Sequence, residues 1–248
     1  MIMARFSQSI SVFFPAYNEA ENIRDLVLKT YGYLKVRFDD FEIMVVNDGS
    51  SDDTAWVVEG LQQEKPRLKL ISHPTNCGYA QALRTGFMNV SKELIFYTDG
   101  DGQFDINELD LLLPLIERYD IVTGYKIKRH DPLMRLWMSW FYNTTMRLIF
   151  GLRLKDINCA FKLYRRRVIE AMDFLPDLTQ GVVNAEVYVT ALRQGYTIGE
   201  VGVHHYPRLK GTAAGEFGRR GKIIAWVRPT IIFKFVKDTI KLWRKFNL

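Results

Sequence analysis

Two carboxylates stand two residues apart in FYTDGDGQFD, residues 96–105, with glycine between them and an amide oxygen two residues further on. Asp99, Asp101 and Gln103 are therefore an all-oxygen donor set. On a glycine-relieved turn both carboxylates can face one cation, and such a set suits Mg2+ or Mn2+ rather than zinc. Few protein ligands leave positions for waters and for substrate phosphates. The spacing is not that of an EF-hand, because no Glu closes the loop. An exposed acidic turn is the plain alternative. The apolar IFY that precedes the carboxylates favours the end of a buried strand instead.

Two other polar stretches repeat this placement. Asp48 ends VVND, ahead of SSDDT. Its carboxylate could accept a hydrogen bond from a nucleobase or a ribose, while Ser51 or Asp53 caps the next helix. Pro15, Tyr17 and Glu19 follow SISVFF. They could wall a nucleoside, with Tyr17 supplying an aromatic face. His73 and His130 show no metal spacing. His204 and His205 read as packed edge residues, and Arg165 to Arg167 as a solvated cluster leading a helix.

The elements that must carry these residues alternate from the N-terminus. SISVFFPAYNE, FEIMVVN, LKLISH, ELIFYT and DIVTGYK read as strands, rich in β-branched and aromatic residues. NEAENIRDLVLKTYGYL, TAWVVEGLQQ, YAQALRTGFMNV and INELDLLLPLIERY read as helices, the first with Ile23, Leu26, Val27 and Leu34 at helical spacing and Asn18 as its cap. Such alternation implies an α/β fold with a mostly parallel central sheet flanked by helices. Tyr17 to Glu19, Asp48 and Asp99 to Asp101 then share the C-terminal edge of the strands, where open α/β sheets bind ligands. After about residue 125 a long helix, PLMRLWMSWFYNTTMRLIFGL, precedes a further αβ portion and a tail.

The 248 residues, 48% hydrophobic, suit one α/β domain with an appendage. A net charge of +6 fits an anionic partner: nucleic acid, a membrane surface or a phosphorylated substrate. Cys77 and Cys159 belong to no CxxC pair and read as reduced thiols. No secretory signal is evident, and no window reaches the roughly 20 apolar residues of a spanning helix.

FFPAYNEAENI, VVNDGSSDDT, NCGYAQALRTGF, YTDGDGQFD, DINCAFKLYRR and HHYPRLKGT occur together in one order. In this the chain resembles family 2 glycosyltransferases, and within them the dolichol-phosphate mannosyltransferase branch with its bacterial polyprenyl-phosphate relatives. The resemblance covers about residues 8–215. It implies a GT-A fold over residues 1–214, with an acceptor loop and interfacial helix at 128–152 and a basic amphipathic tail at 215–248. It implies that Pro15, Tyr17, Glu19, Val46, Asp48 and Asp99 meet the nucleotide. Asp99, Asp101 and Gln103 would hold Mg2+ or Mn2+. Lys126 falls where the branch has an arginine beside the donor; with Arg129 and Arg135, in the loop that meets the lipid phosphate, it would also hold the incoming phosphate. Arg208 matches the arginine of an R-x-x-G-x-[ST] element. Ala213 and Ala214 stand where the branch often has a lysine, a departure that touches donor identity.

The reaction so implied is inverting transfer of a sugar from a GDP- or UDP-linked donor to a polyprenyl phosphate, not to nucleic acid. A hydroxyl acceptor needs a general base, and Asp156 and Glu186 fall where hydroxyl-using relatives have carboxylates. A phosphate monoester is largely dianionic at neutral pH, with a second pKa near ~6, and needs none. The tail, KIIAWVRPTIIFKFVKDTIKLWRKFNL, reads as a membrane-surface helix or as a helix docked on the domain. A peripheral position on the cytosolic face, with a separate integral membrane partner, is the matching expectation. A saccharide-hydroxyl transferase and a non-catalytic membrane-surface scaffold are the alternatives.

Overall fold

A computed structural model of the chain describes residues 5–127, 133–176, 178, 180–208 and 229–247, with the side chains of 133–135, 180–181 and 229–232 outside the description. Strand β1 (Ile10–Ala16) leads through helix α1 (Ala20–Arg37) to β2 (Phe41–Asn47), α2 (Thr54–Gln62) and β3 (Leu68–Ser72). Helix α3 (Tyr79–Asn89) and β4 (Leu94–Thr98) follow, then a one-turn helix α4 (Leu109–Leu112) and β5 (Ile121–Ile127). The remainder is α5 (Leu133–Phe150), β6 (Phe161–Arg165), α6 (Arg166–Glu170), α7 (Gln180–Arg193), β7 (Ile198–His204) and α8 (Pro229–Asn247).

The seven strands form one sheet in the order β3-β2-β1-β4-β6-β5-β7. β1 and β2 are buried along their whole length, as strands covered on both faces must be. On α1 the buried positions Ile23, Leu26, Val27, Thr30 and Leu34 keep the helical spacing that the sequence displays. The sheet is mostly parallel, as expected, but β6 runs antiparallel to both β4 and β5. Local hydrophobic pattern records that a strand exists, not which way its neighbours run.

Four local readings are corrected. INELDLLLPLIERY is not one helix. Pro114 lacks an N–H and its ring crowds the preceding turn, so 3-10 turns at Ile106–Glu108 and Leu115–Glu117 flank a helix of four residues. Asn18 does not cap α1 with its side chain. It takes φ of 57°, and its side-chain oxygen accepts from the Ser51 N–H at 2.8 Å. Asp52, rather than Ser51 or Asp53, accepts from the Thr54 N–H at the start of α2, at 3.0 Å. The Arg165–Arg167 cluster is also more than a solvated face: Arg165 donates to the Ile116 carbonyl at 2.7 Å, and Arg167 is paired with Asp120.

α8 docks on the domain. Leu242, Asp238 and Thr239 are buried, Phe235 packs on Tyr142 of α5, and Arg193 of α7 donates to the Phe246 carbonyl at 2.6 Å. Its outer side presents Phe233, Val236, Ile240 and Trp243 among exposed Lys234, Lys237 and Arg244. α5 buries Tyr142 and Met146, and exposes Trp137, Trp140, Phe141 and Leu148. Docking and an outward apolar, basic face are thus properties of the same helix. Among the described residues, no helix is long and apolar enough to cross a membrane.

Candidate active site

The strand ends meet as a site because of register. Pro15 pairs with Val46, so the turns after β1 and β2 leave the sheet side by side. The Gly100 N–H donates to the Pro15 carbonyl at 3.1 Å, which lays the DGDG turn against the same corner. Gly49 makes the turn after β2 possible: its φ is +65°, and a Cβ there would sit 2.3 Å from the Thr75 carbonyl carbon. Gly102 also has positive φ, a conformation glycine takes at little cost and one that reverses the chain between Asp101 and Gln103.

Arg208, in the segment after β7, closes the site. Its guanidinium donates twice to the Glu19 carboxylate, at 2.6 and 3.1 Å, and reaches Asp101 Oδ2 at 3.3 Å. Such a fork-to-carboxylate contact fixes both groups in one plane. Gln103 donates from its side chain to the Tyr206 carbonyl at 2.8 Å, and its own carbonyl accepts from the Tyr206 N–H. The segment after β7 is thereby stitched to the DGDG turn. Burial pushes the Glu19 carboxyl up, against the pull of Asn22 and Arg208.

Asp99 accepts from the Tyr79 hydroxyl at 2.9 Å. Burial, with the negative charge of Asp101 beside it, pushes its carboxyl up to about 7, although Tyr79, Lys126 and Lys162 act the other way. Two carboxylates that repel each other in a partly buried turn are suited to share a hard divalent cation, and Asp99, Asp101 and Gln103 fit one by chemistry. Tyr79 is a site residue that sequence reasoning missed. NCGYAQ offered the position, but its contact with Asp99 depends on how α3 crosses the sheet.

Asp48 is turned inward. It accepts from the Cys77 and Gly78 N–H groups at 2.8 and 2.9 Å, and its Oδ1 meets His73 Nδ1 at 2.8 Å. It therefore caps the start of α3, where a carboxylate is favoured by the helix dipole. Asp48, His73 and Cys77 also place one ligand atom each within 4.8 Å of the others, a proximity their sequence spacing did not announce. Hydrogen bonding accounts for it: the second ring nitrogen of His73 meets Thr85 Oγ1 at 2.9 Å.

Among the other residues singled out from the sequence, Val46 and Pro15 are buried and Tyr17 is half-buried at the strand ends. Lys126 is half-buried near the end of β5, with Nζ 6.0 Å from the Phe104 ring. Arg129, Ala213 and Ala214 lie outside the described residues, as does the side chain of Arg135. Asp156 is buried. Glu186, 1% exposed, accepts from the Leu175 N–H at 2.6 Å and pairs with Lys245 of α8 at 3.1 Å.

The profile of "Glycosyl transferase family 2" matches residues 11–173. An undecaprenyl-phosphate 4-deoxy-4-formamido-L-arabinose transferase of Yersinia enterocolitica is 33% identical over 168 residues, 66% of this chain and 51% of its own length. The protein of the same name from Enterobacter sp. (strain 638) is 29% identical over 220 residues, 85% of this chain and 63% of its own. The chain thus spans between about half and just under two thirds of these curated relatives. Among solved structures, glucosyl-3-phosphoglycerate synthase of Mycobacterium tuberculosis in complex with Mn2+ and UDP-glucose superposes with a TM-score of 0.64 at 19% identity, covering 83% of this chain and 73% of that one. At that identity the likeness is one of fold.

Proposed function

We propose that this chain, which belongs to glycosyl transferase family 2 and has the GT-A fold, moves a sugar from a nucleotide diphosphate to a polyprenyl phosphate with inversion, at the cytosolic face of a membrane. The observation that carries the reading is the meeting of Glu19, Asp99, Asp101 and Arg208 on the carboxyl edge of the parallel strands. The relatives' printed names, which contain undecaprenyl phosphate, support the acceptor class.

A divalent cation on Asp99, Asp101 and Gln103 would supply charge neutralisation for the departing nucleotide diphosphate. Arg208 adds a guanidinium on the same side, oriented by Glu19 before substrate arrives, which is what preorganised stabilisation requires. Tyr17 stands at the corner assigned to the nucleoside, with Pro15, Val46 and Asp48 buried behind it as its support. Lys126, with Arg129 and Arg135 in the segment that follows, is assigned to hold the incoming phosphate by charge-assisted bonds.

A phosphate acceptor attacks without a base, and Glu186, one of the two carboxylates that the sequence offered as a base, is engaged elsewhere. Glu186 is fixed by a backbone N–H and by Lys245, and its burial holds its carboxyl up. Glu186→Gln is therefore expected to keep turnover within about threefold, whereas removing a general base costs 10²–10⁴-fold. Its melting temperature should fall, because Lys245 loses its charged partner and keeps the Asp173 carbonyl. A hundredfold loss of turnover at unchanged stability would restore the saccharide-hydroxyl reading.

The outward faces of α5 and α8 support surface attachment: exposed indoles, with Arg147 on α5 and Lys234, Lys237 and Arg244 on α8, suit the interface of an anionic bilayer. Each buried tryptophan is worth about 1.5–3 kcal/mol. Trp140→Ser with Trp243→Ser should thus weaken co-sedimentation with phosphatidylglycerol vesicles by about tenfold or more, and unchanged partitioning would refute the attachment. The reaction itself is tested with a panel of radiolabelled GDP- and UDP-sugars, a short prenyl phosphate and Mn2+. Label must enter the organic phase; label released only into water sinks the acceptor assignment.

A further inference from the structure

One charge inside the sheet has so far entered only through its pull on the Asp99 carboxyl. Lys162, in the middle of β6, is fully buried, paired across the sheet with Tyr97 of β4 on one side and Thr123 of β5 on the other. Its ammonium donates to the Ile157 carbonyl at 2.9 Å and lies 4.9 Å from the Tyr188 ring and 5.6 Å from the Tyr97 ring. Burial pulls its pKa down to about 7, while the thiol of Cys159 and the carboxylates of Asp156 and Asp99 hold it up. Putting a lysine where leucine or valine would fill the sheet at no desolvation cost calls for a reason.

The reason lies in what the Ile157 carbonyl belongs to. Residues 156–159 form the turn that enters β6. Because Thr98 pairs with Phe161, this turn runs beside the DGDG carboxylates. Because Thr123 pairs with Lys162 in antiparallel register, its other side adjoins the end of β5 and Lys126. The turn is thus the partition between the group assigned to the leaving diphosphate and the group assigned to the incoming phosphate. Asn143 of α5 holds it from one side, accepting from the Ile157 N–H at 3.3 Å. Asn184 of α7 holds it from another, donating to Asn158 at 3.2 Å. Lys162 holds it from below.

We propose that Lys162 is a positioning residue: from inside the sheet its ammonium fixes the Asp156–Cys159 turn, and so sets the separation between the donor-holding and acceptor-holding sides of the site. The assignment of those two sides rests on the function proposed above; the fixing of the turn does not.

Cys159, fully buried in that turn, reports on it directly. With Cys77 replaced by serine, Cys159 is the chain's remaining thiol. Adding Lys162→Met, which keeps an unbranched side chain one atom shorter and removes the charge, is expected to speed labelling of Cys159 by a maleimide at least about tenfold, with no fall in melting temperature, since a buried charge has been removed. In the chain with both cysteines, Lys162→Met should lower kcat for prenyl phosphate at least about thirtyfold, while the KM for the nucleotide-sugar stays within about threefold. That split separates a misplaced partition from general loosening, which would move both constants. Should the methionine chain not fold, Lys162→Gln is judged by the same two measurements. A Cys159 as protected as in the parent overturns the proposal, and so does turnover within threefold of the parent. The thiol measurement needs neither sugar nor lipid, so faster labelling together with a failed transfer assay would sink the proposed reaction and leave the turn's anchor standing.

Discussion

An Asp101→Asn chain is expected to lose about a thousandfold in kcat, the upper end of what removing one group that stabilises a developing charge costs. The change is small in volume and leaves the turn its glycines, so folding should be intact by circular dichroism. Two effects add. The cation assigned to Asp99, Asp101 and Gln103 loses a charged oxygen, which in a site of so few protein ligands cannot be replaced from the protein. Arg208 also loses its 3.3 Å contact with Oδ2 and is held by Glu19 alone. At the same time Asp99 is freed of its neighbour's repulsion, so its carboxyl should fall from about 7. A reader who favours an ordinary acidic turn would expect little change in turnover. Transfer of label into the organic phase, measured with Mn2+ and again in chelator, decides between them: more than a tenth of parental activity in either setting removes the metal site from the proposal.

Arg208→Gln should be the second most damaging change, in two separable ways. Turnover should drop by about 10²–10³, as for other lost stabilising donors. Stability should fall as well, because Glu19, 6% exposed, is left buried with its charge unmatched. Breaking a buried pair costs about 3–5 kcal/mol. Arg208 keeps 15% side-chain exposure, and solvent screening lowers the cost below that range, to about 2–3 kcal/mol. For a chain of this size that is roughly 5–10 °C in melting temperature. The pH dependence has a definite sign. Burial already raises the Glu19 carboxyl, and removing the guanidinium raises it further. An acid with a raised folded pKa contributes stability below its unfolded pKa and loses it as pH rises through the folded one. The variant's deficit should therefore be larger at pH 8 than at pH 5. Glu19→Gln in the same chain should recover part of the melting temperature and none of the activity. A deficit that is flat with pH would mean that Glu19 and Arg208 are not the pair described.

Much of the site was legible because strand ends announce themselves. Apolar runs that stop in Pro15, Asp48 and Asp99 give both the strand and its carboxyl edge, and alternation with helices puts those edges on one side. What stayed hidden was decided by contacts remote in sequence. Asp48 looks like a ligand-facing carboxylate until the loop at residues 73–78 folds over it. Tyr79 becomes a site residue only once α3 has crossed β2 and β1. Lys162 reads as one more cation of FKLYRRR, since nothing local says that its strand runs backwards between β4 and β5. The break at Pro114, by contrast, was local and readable. There the apolar periodicity of INELDLLLPLIERY outweighed a residue that cannot continue a helix.

The clasp between Glu19 and Arg208 spans 189 positions of the chain. A ribosome adding about 5–20 residues per second needs roughly 10–40 s to travel that distance. Throughout that interval the nascent sheet holds its acids without their arginine, and a product truncated before residue 208 never acquires it. Completion of this corner is in this way postponed until synthesis has passed residue 208, and a copy cut short before that point lacks the arginine that meets Glu19 and Asp101.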